Sequence, residues 1–251
     1  MNIIAELHCH TSVSGHAFNS LTEMAKKAAG LGYYAFAVTN HVGICDTISQ
    51  LHFGSYKYLP RRIEEIFLIS GVEADIIDFE GTVDMSGKEL AGLDFRIASI
   101  HEPEAVGVAK VRKGNAEENT AAYLGVMKNP EIDCIGHMGN MGNPCNFEEV
   151  VRAAAAAGKV IELNSSYPKR TRENAEGTLE IMKLCKKYDV RTAVTTDSHS
   201  IYTMEDMKIG TQILESIGFP EELVINSSAD RLTAYFEERK GRNIFEDLMC
   251  L

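Results

Sequence analysis

The chain has 251 residues, 45% of them hydrophobic, and a formal net charge of −11 at neutral pH. That length fits one α/β barrel or two small domains and can bury a good core, and no apolar run approaches the roughly 20 residues that span a bilayer. The acidic balance argues against membrane surfaces and stable nucleic-acid binding, but not against a small anionic substrate.

Met1-Asn2-Ile3-Ile4 enters a strand almost at once, with no charged and then apolar leader. The six cysteines show no CxxC pair and no dense framework, as expected of reduced thiols in the cytosol. With no repeat, low-complexity tract or linker, residues 1–251 read as one domain.

Strand and helix signals alternate along the chain. Asn2–Leu7 is the first predicted strand, and Ser20-Leu21-Thr22-Glu23 forms a capping box that opens a helix ending near Leu31, before Gly32. Tyr34–Thr39 is the second strand, Leu59–Glu65 a short helix, and Phe67–Glu73 the third strand. Ile76–Met85 alternates around Glu80-Gly81 as a small hairpin on the rim. Phe95–Ile100, Ile132–Gly136, Val160–Leu163 and Thr192–Thr196 complete seven strands. Helices are predicted over Ala116–Met127, Phe147–Ala157, Arg172–Tyr188, Met204–Ile217 and Ala229–Arg239.

Seven of the eight histidines lie where a strand runs out: His8, His10, His16, His41, His101, His137 and His199. Glu73 and Asp197 occupy equivalent places. Imidazole is a common metal ligand, so the set predicts a polynuclear metal site. His8 and His10 share one face of a strand and can hold one ion, while Cys9 points the other way into packing. Asp197 and His199 repeat that spacing, and His16 lies on a loop able to fold back over the mouth. Glu73 closes the apolar run Leu68-Ile69-Ser70-Gly71-Val72, where a carboxylate is costly unless it meets cations, and its two oxygens can bridge a pair. His52 does not end a strand and is set aside as a loop residue.

These placements decide the architecture. In an open sheet the outer strand ends cannot reach a common point, whereas in a barrel they ring one mouth. An α/β fold is therefore expected, a distorted seven-stranded (β/α) TIM-like barrel. Lys169-Arg170-Thr171-Arg172 follows the sixth strand on the ligand side, and Arg170 or Arg172 could pair with a phosphate; Lys110, Arg112 and Lys113 are weaker candidates.

The motifs Glu6-Leu7-His8-Cys9-His10-Thr11, His16, Thr39-Asn40-His41, Gly71-Val72-Glu73-Ala74, His101-Glu102-Pro103, Gly136-His137 and Thr196-Asp197-Ser198-His199 resemble those of the PHP (polymerase and histidinol phosphatase) family. Ser86-Gly87-Lys88, Glu162-Leu163-Asn164-Ser165-Ser166 and Phe219-Pro220-Glu221 look most like its stand-alone YcdX-like phosphatases. The resemblance implies a distorted seven-stranded barrel with up to three divalent ions: one on His8, His10, Glu73 and Asp197, a second on Glu73, His101 and His137, a third on His16, His41 and His199. Asn40 stands where the family often has Asp, which keeps an oxygen and loses a charge. The donor set suits zinc, and also manganese or iron(II).

The expected activity is metal-dependent hydrolysis of a small phosphorylated metabolite, with Glu73 and Asp197 as catalytic carboxylates beside a metal-bound hydroxide. The alternatives that the resemblance implies are a histidinol phosphatase or a nucleotide phosphodiesterase of the same family. An amidohydrolase acting on C–N bonds commonly bridges its metals with a modified lysine, and here no lysine ends a strand. A non-catalytic metal-binding scaffold would be expected to have lost ligands, and none is missing. Specificity is expected in the loops Val42–Tyr58 and Glu102–Asn115.

Overall fold

A computed structural model describes residues 1–42, 51–85, 87–101 and 113–246. Cys45, Cys250, Ser86, Lys110, Arg112, Glu102-Pro103 and most of the two expected specificity loops lie outside the described residues. In chain order, β1 (Ala5–Glu6) leads through α1 (Leu21–Gly30) to β2 (Ala35–Val38), and α2 (Leu51–Gly54) and β3 (Arg62–Ile63) precede the long β4 (Ile66–Asp75). There follow α3 (Gly87–Ala91), β5 (Phe95–Ser99), α4 (Ala116–Val126), β6 (Cys134–Ile135), α5 (Phe147–Ala157), β7 (Val160–Asn164), α6 (Arg172–Lys187), β8 (Thr192–Thr195), α7 (Lys208–Ser216) and α8 (Ala229–Lys240).

The seven strands other than β3 are parallel neighbours in the order β1-β2-β4-β5-β6-β7-β8, the expected nearly closed barrel. Parallel strands all end at one rim, so the side chains just past them can converge. Local signals set the helix ends: Ser20 with Glu23 and Asn115 with Glu118 form complete capping boxes, and Gly158 ends α5 with φ 65°.

Two expectations need correction. Residues 59–65 are not a helix: Arg62 pairs with Phe67 and Ile63 with Ile66 in an antiparallel hairpin. Its two-residue turn, Glu64-Glu65, has φ values of 51° and 67°, the geometry that matches strand twist. The Arg62 guanidinium lies 3.9 Å from the Phe67 ring centroid, a contact between partners that a helix would have separated. The predicted helix over Met204–Ile217 starts only at Lys208, because residues 201–207 form turns that bury Met204 and Met207.

β8 and β1 share no continuous ladder, and two devices close that seam. Near the mouth Cys9 bridges Ser198, with His10 N donating to Ser198 O and Ser198 N to His8 O. Deeper, the buried Asn226 side chain accepts from Val194 N and donates to both Ala5 O and Val194 O. One amide thus supplies the bonds that a strand pair would have made.

Inside the barrel, Ala5, Leu7, Ala35, Ala37, Phe67, Ile69, Phe95, Ile97, Cys134, Val160 and Ala193 pack into one cluster, closed from below by Leu232, Tyr235 and Phe236 of α8 with Phe245. The helices cover the outer faces of the strands through a second cluster. Asn226→Leu should cost about 3 kcal/mol or more, since it strands three buried backbone groups, each worth about 1–3 kcal/mol. Urea unfolding measures this, and an unchanged midpoint would show the seam to be closed by other contacts.

Candidate metal centre

Strand alternation builds the site. Inward positions are apolar low in the barrel and become small or polar toward its mouth, as in Ile69, Gly71, Glu73 on β4 and Val160, Glu162, Asn164 on β7. The series Ile97, Ser99, His101 and Ala193, Thr195, Asp197 follow the same rule. Two glycines keep room under the cluster. A Cβ on Gly71 would lie 2.8 Å from Phe95 O, and one on Gly136 would lie 2.1 Å from Ser99 Oγ.

All nine predicted ligands lie around this mouth. His8, His10, Glu73 and Asp197 present ligand atoms within 4.8 Å of one another, and so do Glu73, His101 and His137. These match the first two expected sets. The third differs in detail: His41 and His199 group with His10, while His16 Nε2 lies 2.7 Å from His199 Nε2 and its ring is 5.3 Å from that of His41. His41 also groups with Asp75 and His101. The backbones of His137 and Asp197 have φ values of 20° and 54°, uncommon for residues with a side chain and often found at functional sites.

Four rings are anchored from behind. His8 Nδ1 bonds Glu162 Oε1 at 2.5 Å, His10 Nδ1 bonds Ser14 Oγ at 3.3 Å, and His199 Nδ1 bonds Asp197 O at 2.9 Å. His101 Nδ1 bonds Asp75 Oδ1. Each bond places the ring proton on Nδ1 and leaves the Nε2 lone pair facing the cluster. Ser14 in turn donates to Asn40 Oδ1, which also accepts from Thr11 N, so Asn40 braces the loop behind His10.

Glu73 Oε1 is bonded, by Ser99 Oγ at 2.6 Å and His137 Nε2 at 2.8 Å, but other inward atoms do not satisfy one another. His8 Nε2 faces His10 Nε2 at 3.1 Å, and both face Glu73 Oε2, at 3.0 and 3.3 Å. Despite these short distances Glu73 Oε2 finds no hydrogen-bond partner among the described residues, nor do the buried Asp197 Oδ1, His41 Nδ1 and His137 Nδ1. Lone pairs packed against carboxylate oxygens repel unless a cation lies between them, so the donor set fits divalent metal ions.

The charges respond accordingly. Burial opposes charge on His8, but Glu73, Glu162 and Asp197 outweigh it and hold the imidazole well above its usual range. His101 is likewise lifted to about 9, against burial, by Asp75 and Glu73. Burial, with the neighbouring His10, pulls His199 down to about 4 and also drives His41 well below its ordinary value. Burial opposes the charge of Glu73 too, yet the surrounding histidines keep its carboxyl well below the usual range.

The remaining sequence candidates are less central. Arg170 is exposed, with its guanidinium 4.0 Å from the Tyr167 ring centroid, and Tyr167 stacks on His137 at 5.0 Å. Arg172 turns outward to Glu176 at 2.7 Å with its side chain 85% exposed, so the structure does not bring it to the cluster. His52 packs at 5.2 Å from Tyr56, and Cys9 is buried with Sγ 3.0 Å from Ala37 O, away from the site. Sequence reasoning gave no role to Glu162 or Asp75. Glu162 carried the same signal as Glu73, a glutamate inside an apolar run. Asp75 lies two residues past Glu73, on a strand that runs further than predicted.

A nearly closed parallel barrel carries at its mouth a buried imidazole–carboxylate cluster able to hold divalent metal ions. Residues 6–166 match the PHP domain, and the chain belongs to the PHP family. It is 38% identical over 241 residues to a probable phosphatase of Clostridium novyi, covering 95% of this chain and 96% of the other. To a probable phosphatase of Acetivibrio thermocellus it is 36% identical over 243 residues, covering 96% and 98%. Among solved structures it is similar to the histidinol phosphate phosphatase of Lactococcus lactis, at TM-score 0.63 and 15% identity over 88% of this chain and 95% of that one. That protein was crystallised with zinc, L-histidinol and phosphate. The chain is accordingly a phosphoesterase hydrolase. Among the described residues, no helix is long and apolar enough to cross a membrane.

Zinc or manganese added at about one hundred times its dissociation constant should stabilise the chelator-treated protein by about 2.7 kcal/mol per site. The readout is the urea midpoint at fixed pH, and an unchanged midpoint would mean that the native fold holds no ion.

Proposed function

We propose that the chain is a single-domain, cytosolic phosphoesterase that hydrolyses a small phosphorylated metabolite at a centre for three divalent ions. The first ion would be held by His8, His10, Glu73 and Asp197, the second by Glu73, His101 and His137, and the third by His16, His41 and His199. Zinc is favoured by the nitrogen-rich donors and by the zinc in the Lactococcus lactis relative, with manganese and iron(II) as alternatives. The cytosolic placement draws on the free thiols of Cys9, Cys134, Cys145 and Cys185.

One observation carries the reading: the two oxygens of Glu73 face different histidines. Oε1 lies 2.8 Å from His137 Nε2 and 3.5 Å from His101 Nε2, whereas Oε2 faces His8, His10 and His41. When bound, divalent ions supply positive charge for phosphate oxygens and a water acidic enough to attack at neutral pH. Glu73 fixes the spacing of the two ligand sets. Asp197, whose Oδ1 lies 3.1 Å from His10 Nε2, would take the proton of the attacking water. Arg170, held on Tyr167 beside His137, is the side chain to pair with the phosphate.

The rim beyond His16 would meet the organic part of the ester. Phe18 and Tyr202 are 82% and 83% exposed there, on loops joined by Phe18 N to His199 O and Ile201 N to Asn19 Oδ1. Small esters suit a mouth whose positive charge comes from a few ions in an otherwise acidic protein.

Phosphate release from a panel of phosphorylated metabolites, with metal content measured on the same sample, tests this function. Glu73→Ala should lower kcat/KM at least about a hundredfold, and its full activity would exclude a shared carboxylate. Arg170→Ala should raise KM for every phosphoester with less effect on kcat, since the phosphate is common to all. Failure of the fully metallated protein to turn over any ester would leave only a metal-binding scaffold.

A further inference from the structure

Glu162 lies on β7 with no exposed side-chain surface, and three donors converge on its carboxylate. Thr195 Oγ1 donates to Oε1 at 2.6 Å, His8 Nδ1 bonds the same oxygen at 2.5 Å, and the backbone N–H of His137 donates to Oε2. His8 belongs to the first group of converging ligand atoms and His137 to the second. The two residues are far apart in the chain, just after β1 and just after β6, and this carboxylate touches both.

We infer that Glu162 is a positioning residue that couples two of the metal positions. Through Oε1 it holds His8 in the tautomer with its proton on Nδ1, so that Nε2 presents a lone pair. Through Oε2 it holds the His137 amide at φ 20°, the turn that brings Nε2 to Glu73 Oε1 at 2.8 Å. Glu73 joins the two sets from the front and Glu162 from behind. The inference rests on the metal-centre reading above. It adds that the first two ions bind as a coupled pair, because among the described residues the bonds of Glu162 run to a ligand of each of these two sets and to Thr195.

Glutamine cannot replace this carboxylate, although it is nearly the same size. All three groups on Glu162 are donors, so one of them must meet the NH2 end of the amide whichever way it is turned. An NH2 toward His8 favours the wrong tautomer, and an NH2 toward His137 leaves a buried backbone N–H without an acceptor.

The test is a zinc titration of Glu162→Gln against a chromophoric chelator, beside the wild type. Wild type should take up three equivalents. In the variant two of these should weaken together, by about 10- to 100-fold, with the third unchanged. Loss of a single equivalent, equal weakening of all three, or no weakening would each overturn the coupling. If the wild type takes up no zinc, the metal-centre reading falls with it, which separates that failure from failure of the coupling alone. Nitrogen NMR of wild-type histidines supplies a check that does not depend on the variant folding. In the zinc-loaded protein the His8 proton should be on Nδ1, and a proton on Nε2 would overturn the inference.

Discussion

The structure depends on one buried carboxylate. Glu73 has no exposure, sits near the end of an apolar strand and leaves Oε2 without a hydrogen bond among the described residues, although three histidine nitrogens lie within 3.4 Å. A charge so placed is tolerated only where positive charge meets it. Protons on the imidazoles can offset that charge, since the neighbouring carboxylates push the pKa values of His8 and His101 up against the cost of burial. Divalent ions supply it with less repulsion, because they also give the facing lone pairs of His8 and His10 something to bind.

The barrel is shaped to this requirement. Inward positions alternate along each strand, so the same residue column that fills the barrel low down delivers ligands at the top. Gly71 and Gly136 carry no side chain where a Cβ would collide with Phe95 or Ser99. The seam between β1 and β8 passes directly beneath the ligands of both strands. Its closure by Cys9–Ser198 and by the Asn226 amide keeps His8 and His10 in reach of Asp197. Folding energy and site geometry are thus carried by the same contacts.

A second layer sets the direction of the rings. Glu162, Ser14, Asp75 and the Asp197 carbonyl each bond a histidine Nδ1, which decides the nitrogen that faces inward. The Asn40 side chain belongs to this layer. The family's frequent aspartate would carry a charge there, but Asn40 Oδ1 accepts from Thr11 and Ser14, and Nδ2 donates to Thr11 Oγ1, so the neutral residue uses both ends of its amide. Tyr167 does similar work by packing, with His137 on one side and Arg170 against its ring.

The alternation of strands and helices and the placing of His8, His10, His41, Glu73, His101, His137 and Asp197 at strand ends were legible in the sequence, because period and position are local properties. So were the capping boxes at Ser20 and Asn115. The Glu64-Glu65 turn was not, since its stability comes from pairing Arg62 with Phe67 rather than from helix propensity. Nor were the places of Glu162, Asp75 and Asn226, whose partners are 154, 26 and 221 residues away in the chain. The sequence by itself determined which residue types reach one rim of a parallel barrel. Only the tertiary structure decided which nitrogen of each ring faces the centre and which carboxylate stands behind it, because those choices are made by hydrogen bonds between strands that no local pattern connects.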